Sequence, residues 1–322
     1  MKRLMQAGAI ALLMATTPLA VQAQGRPLPG DASQSVKQAT MLLDQVKASN
    51  LDRWWRANAI ARMARTLARM GDTDSARIMG RDMLLVLREA SQDNTPPPPA
   101  LSESASFAIM AQAYADLKDP VTSTEAANAA LKALSTDPAI RAATLPLIAQ
   151  AMADVGSRGP AGDMALEGLR SAAALPAGRD QLSALAAIAQ VQAKLGDREA
   201  AMGTAMAARD ALPPASSMAD KAIGQAQIAR AFAAAGDQQT ARAVARDAIR
   251  TYDQSVNDST ITTGQRVASL ALIAIAQAEA GDKSTARQIL GVAKQTQTGI
   301  SGQYEKLISF LTVADAVMLI ER

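Results

Sequence analysis

Arginine is the residue type whose spacing in this chain first suggests chemistry. Five arginines fall within one predicted helix, at Arg53, Arg56, Arg62, Arg65 and Arg69. The last three are three and four residues apart, so they lie on one side of that helix. Guanidinium groups bind carboxylates and phosphates, so this basic face predicts an anionic contact site for a peptide carboxylate, a lipid headgroup or a polymer. The alternative is a solvated face whose charges are balanced by nearby acids such as Asp52 and Asp72.

The residue types that the chain lacks exclude several kinds of chemistry. There is no histidine and no cysteine, so Ser-His-Asp and Cys-His catalysis and disulfide bonds are impossible. The commonest transition-metal ligands are missing as well. Methionines such as Met63, Met110 and Met152 recur at core-facing spacings and are interpreted as packing residues. We therefore predict a protein that is not an enzyme, with no catalytic residue, no metal site and no cofactor.

Both tryptophans of the chain are adjacent, at Trp54 and Trp55. Neighbouring residues on a helix point about 100° apart, so the two rings cannot face the same core. We expect one ring to pack against the preceding helix and the other to lie at a rim, where tryptophan often anchors a partner. The alternative is that both pack at the start of the helix.

The first residues have the features of an export signal. Lys2 and Arg3 precede an uncharged, mostly apolar stretch from Ala7 to Leu19, and Val21-Gln22-Ala23 fits a small-x-small cleavage site. We predict that residues 1–23 are a signal peptide and that the mature chain begins at Gln24 in the periplasm or, alternatively, is secreted. A short membrane anchor is the competing interpretation.

The charge of the mature chain argues against nucleic acid as a partner. Removing Lys2 and Arg3 from the 33 basic residues leaves 31, against 30 acidic residues. Such a balance gives no basic footprint of the kind that nucleic-acid-binding proteins present. No later apolar run is long enough to span a membrane, so we predict no integral membrane segment after signal removal.

The elements that must position these residues are visible as an internal repeat. Four segments share alternating small and aliphatic residues followed by Gly-Asp: Ile60–Arg77, Leu185–Met202, Gln225–Arg242 and Leu270–Arg287. Two weaker copies occupy Phe107–Ser123 and Leu145–Ala161. Self-similarity of this size predicts stacked helical hairpins, because each unit can bury its apolar face only against its neighbours.

The Gly-Asp pair has a structural explanation in every copy. Glycine supplies the left-handed conformation that ends the first helix, and aspartate accepts hydrogen bonds from the free amides that begin the second. The pairs are Gly71-Asp72, Gly196-Asp197, Gly236-Asp237 and Gly281-Asp282. We therefore interpret these four aspartates as helix caps and not as catalytic acids.

The small-residue pattern resembles the tetratricopeptide repeat. The small eighth position of that repeat is matched by Ala64, Ala111, Ala149, Ala189, Ala229 and Ala274. The alanine at its twentieth position is matched by Ala76, Ala161, Ala201, Ala241 and Ala286, with Ser123 in the second copy. The resemblance covers about residues 51–297. The aromatic positions are mostly replaced, and the interval between copies is near 40 residues, longer than the 34 of that repeat and also suited to HEAT-type hairpins.

The resemblance implies an all-α fold, a right-handed superhelical α-solenoid of about six helix-turn-helix repeats with capping helices at both ends. After the signal peptide, residues 24–50 form a leading segment and helix, and residues 299–322 a C-terminal capping helix. Residues 51–298 hold the hairpins, at 51–90, 101–136, 139–176, 179–213, 217–254 and 261–298. Four prolines within 91–100 predict an extended spacer between the first two hairpins.

The same resemblance implies that the first helix of each hairpin lines a concave groove and that its ninth residue points into it. Those positions hold Arg65, Gln112, Gln150, Gln190, Arg230 and Ile275, and Arg69 lies one turn beyond Arg65. Glutamine both donates and accepts hydrogen bonds, so it suits the backbone of an extended peptide, and arginine suits a carboxylate. The alternative is a solvated helix face that happens to be rich in glutamine.

These observations favour a non-catalytic interaction scaffold or assembly adaptor of the bacterial cell envelope. Its predicted binding residues are Arg65, Arg69, Gln112, Gln150, Gln190 and Arg230, and its predicted partner is another protein or peptide of the envelope. Two alternatives stay open. One is an enzyme built on a closed ring of helical hairpins with paired carboxylates. The other is a self-associating structural envelope protein.

Overall fold

The computed structural model describes residues 30–48, 53–90, 102–213, 217–256, 258–259 and 261–321, and these form fourteen helices. The first seven are α1 Gly30–Ala48, α2 Arg53–Arg69, α3 Thr73–Ala90, α4 Glu103–Asp116, α5 Pro120–Lys132, α6 Pro138–Asp154 and α7 Arg158–Ala173. The others are α8 Arg179–Lys194, α9 Arg198–Asp210, α10 Met218–Ala235, α11 Gln238–Ser255, α12 Thr263–Glu279, α13 Lys283–Gln297 and α14 Gln303–Glu321. The described residues contain no strand, as the all-α prediction requires.

Helices joined by a short turn pack side by side as pairs, from α2 with α3 to α12 with α13. Each of the six predicted hairpins contains one such pair. The predicted signal peptide at 1–23 and the proline-rich spacer at 91–100 lie outside the described residues. Among the helices that are described, none is long and apolar enough to cross a membrane.

The pairs are arranged in two layers. The first helix of each pair packs against the first helix of the next, in the order α2, α4, α6, α8, α10, α12 and α14. The last of these inner helices, α14, also packs against α2, so the inner layer closes on itself. The second helices form the outer layer, and each contacts the inner helix of the following pair.

The two ends of the chain build the seventh pair together. Helix α1 packs along α14 much as the two helices of each covalent hairpin pack on each other. The end helices were expected to cap the stack. In the structure they pack on each other, and apolar residues of both, such as Leu43 and Leu311, are buried in one core.

Side chains from both ends meet at this seam. The hydroxyl of Tyr304 lies 3.4 Å from Oδ1 of Asn58, and its ring meets the ring of Trp55 edge-on with centroids 4.6 Å apart. Trp54 is buried, whereas Trp55 remains 37 % exposed. The two tryptophans thus differ in burial, and the partly exposed ring of Trp55 packs against Tyr304 of the last helix.

Alanine allows the inner helices to approach closely. The alanines at the eighth repeat position are completely buried: Ala64, Ala111, Ala149, Ala189, Ala229 and Ala274. A methyl group there fills the space between two backbones, and a larger side chain would separate them. Gly80 on α3 serves the same end, since a β-carbon at that position would lie only 2.6 Å from the hydroxyl oxygen of Tyr114.

The turns within the pairs have the predicted geometry. Gly71, Gly156, Gly196, Gly236 and Gly281 all have φ between 81° and 95°. In the second copy Lys118 occupies the glycine position with φ of 59°. In the Gly-Asp turns the aspartate accepts a hydrogen bond from the backbone amide three residues later in the chain, as Asp237 Oδ1 does from Thr240 N at 2.9 Å. The four predicted caps, Asp72, Asp197, Asp237 and Asp282, are therefore confirmed.

Candidate functional site

The predicted binding residues lie at equivalent positions of five inner helices. We call this set the inner-face ladder: Arg65 on α2, Gln112 on α4, Gln150 on α6, Gln190 on α8 and Arg230 on α10. Gln112 is buried, and the other four are half-buried. Three members of the ladder contact the next inner helix: Arg65 lies near Asp116, Gln112 donates to Leu147 O and Arg230 binds Glu279. Arg69 lies one turn beyond Arg65 on the same face.

Arg69 connects three inner helices. Its Nε donates to Asp116 Oδ2 of α4 at 3.1 Å, and its Nη1 lies 3.2 Å from Asp315 Oδ2 of α14. Burial opposes the charged form of Arg69, but the carboxylates of Asp315 and Asp116 outweigh it and raise the pKa of the guanidinium. Thr66 adds a bond of 3.4 Å from its hydroxyl to Asp315 Oδ1. Arg69 therefore fastens the closure of the ring.

Arg65 has a weaker set of partners. Its Nε is 3.6 Å from Asp116 Oδ2, beyond hydrogen-bond distance, and this buried atom has no hydrogen-bond partner. Burial, together with the neighbouring charge of Arg69, lowers the pKa of Arg65 to about 10. The charge of Arg65 is thus kept in the folded protein with incomplete compensation, which is an arrangement typical of functional sites.

Gln112 lies beside Arg65 in the ladder, on the next inner helix. Its Nε2 donates to the backbone oxygen of Leu147 at 3.2 Å, which anchors the side chain against α6. Its Oε1 is buried and accepts no hydrogen bond. Adjacent ladder positions therefore carry one unsatisfied donor and one unsatisfied acceptor, and a buried polar atom without a partner costs about 1–3 kcal/mol.

The other members of the ladder have protein partners or lie more open. Arg230 binds Glu279 of α12 through two bonds, from Nε to Oε2 at 2.9 Å and from Nη2 to Oε1 at 3.1 Å. Gln150 donates to Asp154 Oδ2 at 3.0 Å on its own helix, and Asp154 also pairs with Lys194 of α8. Gln190 is half-buried on the same face.

The acidic partners of these arginines were not predicted. Asp52 and Asp72 were expected as neighbours of the basic face, but Asp52 lies outside the described residues and Asp72 caps α3. The ion pairs are made instead by Asp116, Asp315 and Glu279 of other inner helices. A signal was present in the repeat, because Asp116, Asp154 and Glu279 each lie four residues after the ninth repeat position. That spacing places them on the same helix face as the ladder.

The ion pairs make the inner face electrically mixed. Arg65, Arg69, Lys194 and Arg230 stand among Asp116, Asp154, Glu279 and Asp315. Within the part of the chain that the structure describes, no three acidic side chains converge to hold a metal ion. The arrangement is suited to hydrogen bonding with a neutral or zwitterionic group more than to capture of a highly charged anion.

Comparison with known proteins assigns no relative: no family model and no curated protein matches the chain.

Proposed function

We propose that the protein is a non-catalytic interaction scaffold of the bacterial cell envelope that binds an extended polypeptide on its inner face. The observation that carries the proposal is the pair formed by Arg65 and Gln112. Arg65 Nε is a buried donor without a hydrogen bond, and Gln112 Oε1 is a buried acceptor without one. A peptide group offers a carbonyl oxygen to the first and an N–H to the second. Both atoms are shielded from solvent, so binding requires the two side chains to turn toward the peptide.

The remaining ladder residues would extend this contact along the ring. Gln150 and Gln190 present amides at the next two positions and are half-buried. Arg69 and Arg230 are engaged with acidic residues of neighbouring helices. They would therefore act mainly by holding those helices in register. This mixture of charges favours a polypeptide backbone over an acidic tail as the ligand.

We also propose a repeat family and a handedness for the observed arrangement of paired neighbouring helices. We propose that the six covalent hairpins are tetratricopeptide-like repeats arranged with a right-handed turn. The buried alanines at the eighth repeat position support this relationship. Closure of the inner layer requires any superhelical rise to be small. Export to the periplasm rests on the amino-terminal pattern of Lys2, Arg3 and the apolar residues that follow.

Site-specific photo-crosslinking in living cells tests the proposed function. A photoreactive amino acid is placed at Gln190 on the inner face or at Met206, which is 45 % exposed on outer helix α9. The chain is expressed with its own amino terminus so that it is exported. We expect a polypeptide partner to be captured from Gln190 but not from Met206. Combining the Gln190 probe with Arg65→Met and Gln112→Leu should abolish capture, because both unsatisfied polar atoms are then removed.

Two outcomes of this experiment would contradict the proposal. Capture of the same proteins from both probe positions would indicate non-specific proximity. Capture from Gln190 that survives Arg65→Met and Gln112→Leu would show that these two residues do not bind the partner. A thermal melt of each variant, followed by circular dichroism, shows whether the helical fold is retained.

A second function is favoured by the closure of the ring, which is the architecture that the enzyme alternative requires. Asp116 and Asp315 approach the same guanidinium group, that of Arg69, from two different inner helices. A pair of carboxylates on one face is the arrangement used in glycoside hydrolysis. Reducing-end release from a panel of bacterial polysaccharides, compared with that of Asp116→Asn, tests this function. Absence of release by the wild-type protein would leave the scaffold proposal alone.

A further inference from the structure

A second cleft lies on the outside of the ring, at the seam where the two ends of the chain meet. It is bounded by α1 and α13 in the outer layer and by α14 of the inner layer. Its volume of about 540 Å³ falls in the range of roughly 300–1,000 Å³ that is usual for ligand sites. None of the inner-face ladder residues lines it.

One wall of the cleft is apolar. Met41 and Leu42 of α1 and Phe310 of α14 line the cleft. Met41 is 68 % exposed and therefore accessible to a ligand. A flexible thioether next to an aromatic ring adapts readily to apolar side chains of different shapes. The apolar wall therefore suits a single aliphatic or aromatic side chain.

Amide side chains form much of the remaining lining. They are Gln34, Gln38, Gln45 and Gln297. Gln297 is buried and its Nε2 donates to Ser309 Oγ at 3.4 Å, which ties it to α14. Each amide offers donors and an acceptor, so together they match the alternating N–H and carbonyl groups of a peptide backbone. An acyl chain would leave these groups without partners, at a cost.

The charge of the cleft is positive. Lys294 of α13 and Lys306 of α14 line it, and no aspartate or glutamate is among the described residues that do so. Glu321 interacts electrostatically with Lys294 from outside the lining. Lysine is a strong donor to a carboxylate, and it attracts anions from solution. The cleft thus combines a cationic end, an amide lining and an apolar wall.

We infer that the seam cleft binds the carboxyl-terminal end of a polypeptide whose last residue is apolar. The terminal carboxylate contacts Lys306 and Lys294, the last side chain packs on Met41 and Phe310, and the preceding peptide groups bond to the glutamines. Capture of a carboxyl terminus is a recurring mode of peptide recognition. The inference goes beyond the proposed function, since it concerns a separate surface and does not depend on the inner-face ladder.

Fluorescence anisotropy with defined peptide pools tests this inference. The probes are fluorescein-labelled hexapeptides, randomised at the first five positions and ending in leucine or phenylalanine, each made as free acid and as carboxyl-terminal amide. We expect the free acids to bind the mature chain about tenfold or more tightly than the amides, because a charged hydrogen bond is lost in the amide. Binding should weaken with rising salt.

Variants separate the cleft from the rest of the surface. Lys306→Gln should weaken binding of the free acids about tenfold, and Met41→Glu should abolish it by placing a like charge at an exposed position. Lys132→Gln, at an exposed position of outer helix α5, is the matched control and should leave binding unchanged. The readout is the difference in affinity between free acid and amide, which binding of the peptide backbone on the inner face would not produce, so failure of this inference and failure of the proposed function are distinguishable.

Equal affinity for free acids and amides, or equal effects of Lys306→Gln and Lys132→Gln, would overturn the inference. Absence of saturable binding by either pool would overturn it as well. Sodium dodecanoate is measured in parallel as a competitor. Saturable binding of dodecanoate without binding of any free-acid peptide would assign the cleft to an acyl carboxylate and not to a polypeptide.

Discussion

At the scale of single residues, the charges of two arginines one helical turn apart have opposite effects on the stability of the fold. Arg69 is held between Asp116 and Asp315, and these carboxylates raise its pKa despite burial. Burial and the charge of Arg69 lower the pKa of Arg65 to about 10. Both remain protonated at neutral pH. The folded state is therefore stabilised by the charge of Arg69 and destabilised by the charge of Arg65.

Substitution by methionine should separate the two arginines. Arg69→Met leaves two carboxylates without their main partner and should lower the free energy of unfolding by about 3 kcal/mol. Arg65→Met removes a poorly compensated charge and should leave this free energy unchanged within about 1 kcal/mol or raise it, since its methylene groups are replaced by similar volume. Urea unfolding at pH 7, followed by circular dichroism, measures both.

The same electrostatics give a sign for the pH dependence. The pKa of Arg65 is lower in the folded state, so between about pH 10 and its ordinary value the unfolded chain binds more protons. The contribution of Arg65 to stability therefore rises with pH in that window. A large loss of stability in Arg65→Met at pH 7 would contradict this account and make Arg65 a structural residue.

At the scale of elements, the Gly-Asp turn decides where each outer helix begins. Gly236 has φ of 95°, and a β-carbon added to it would touch nothing within 4 Å, so only the backbone conformation requires glycine there. Asp237 accepts hydrogen bonds from the side-chain hydroxyl and the backbone amide of Thr240. These bonds, the hydroxyl's most of all, lower the pKa of the Asp237 carboxyl below its ordinary value of 3.8. The ionised cap also faces the positive end of the helix dipole of α11.

The cap should therefore stabilise the fold only when it is ionised. Asp237→Ala should lower the free energy of unfolding by about 1 kcal/mol at pH 7. Because the folded pKa is lowered, this contribution is complete above the unfolded pKa and is lost as the pH falls through the folded pKa. Urea unfolding at pH 7 and near pH 2 should show the difference from wild type shrinking at the lower pH.

Asp253 provides the matched control, since it lies exposed near the other end of α11. A negative charge near a helix carboxyl terminus is unfavourable, so Asp253→Ala should be neutral or slightly stabilising at pH 7. If both substitutions destabilise equally, the effect of Asp237 comes from general charge and not from capping.

At the scale of the whole molecule, the chain is a ring whose last pair of helices is contributed by its two ends. Arg69 and Asp315 join across the seam, as do Trp55 and Tyr304. The ion pair at the seam has counterparts between consecutive hairpins, such as Arg69 with Asp116 and Arg230 with Glu279. Closure also brings the inner helices that carry the ladder into one ring.

Chemical crosslinking tests the closure directly, because the natural chain has no cysteine to interfere. In the double variant Trp55→Cys and Tyr304→Cys, a short bis-maleimide should join the two residues within one chain and shift its electrophoretic mobility. The pair Trp55→Cys and Met206→Cys should give no intrachain product, since α9 and α2 are not neighbours. Loss of the first product, or equal yields from both pairs, would contradict closure; sedimentation identifies any crosslinked dimer.

Local features of this protein follow from the sequence with little help from tertiary structure. Hairpin pairs, buried alanines and the four aspartate caps depend on interactions within about forty residues, and each leaves a pattern in the repeat. The ladder itself stays a prediction from helical periodicity, which gives its members the same register on their helices. The different burial of Trp54 and Trp55 follows from the angle between neighbours on a helix.

Only the tertiary structure decided how the ends meet and what surrounds the ladder. Closure depends on small rotations at every hairpin junction, which add up around the ring and which no single repeat encodes. It brings Asp315 to Arg69 across 246 positions of sequence separation, which no local spacing predicts. It also creates the seam cleft, whose lining combines residues from both ends of the chain. The repeat thus determined the helices and the residues on each side of them, whereas the packing angles accumulated around the ring determined which other residues those sides contact.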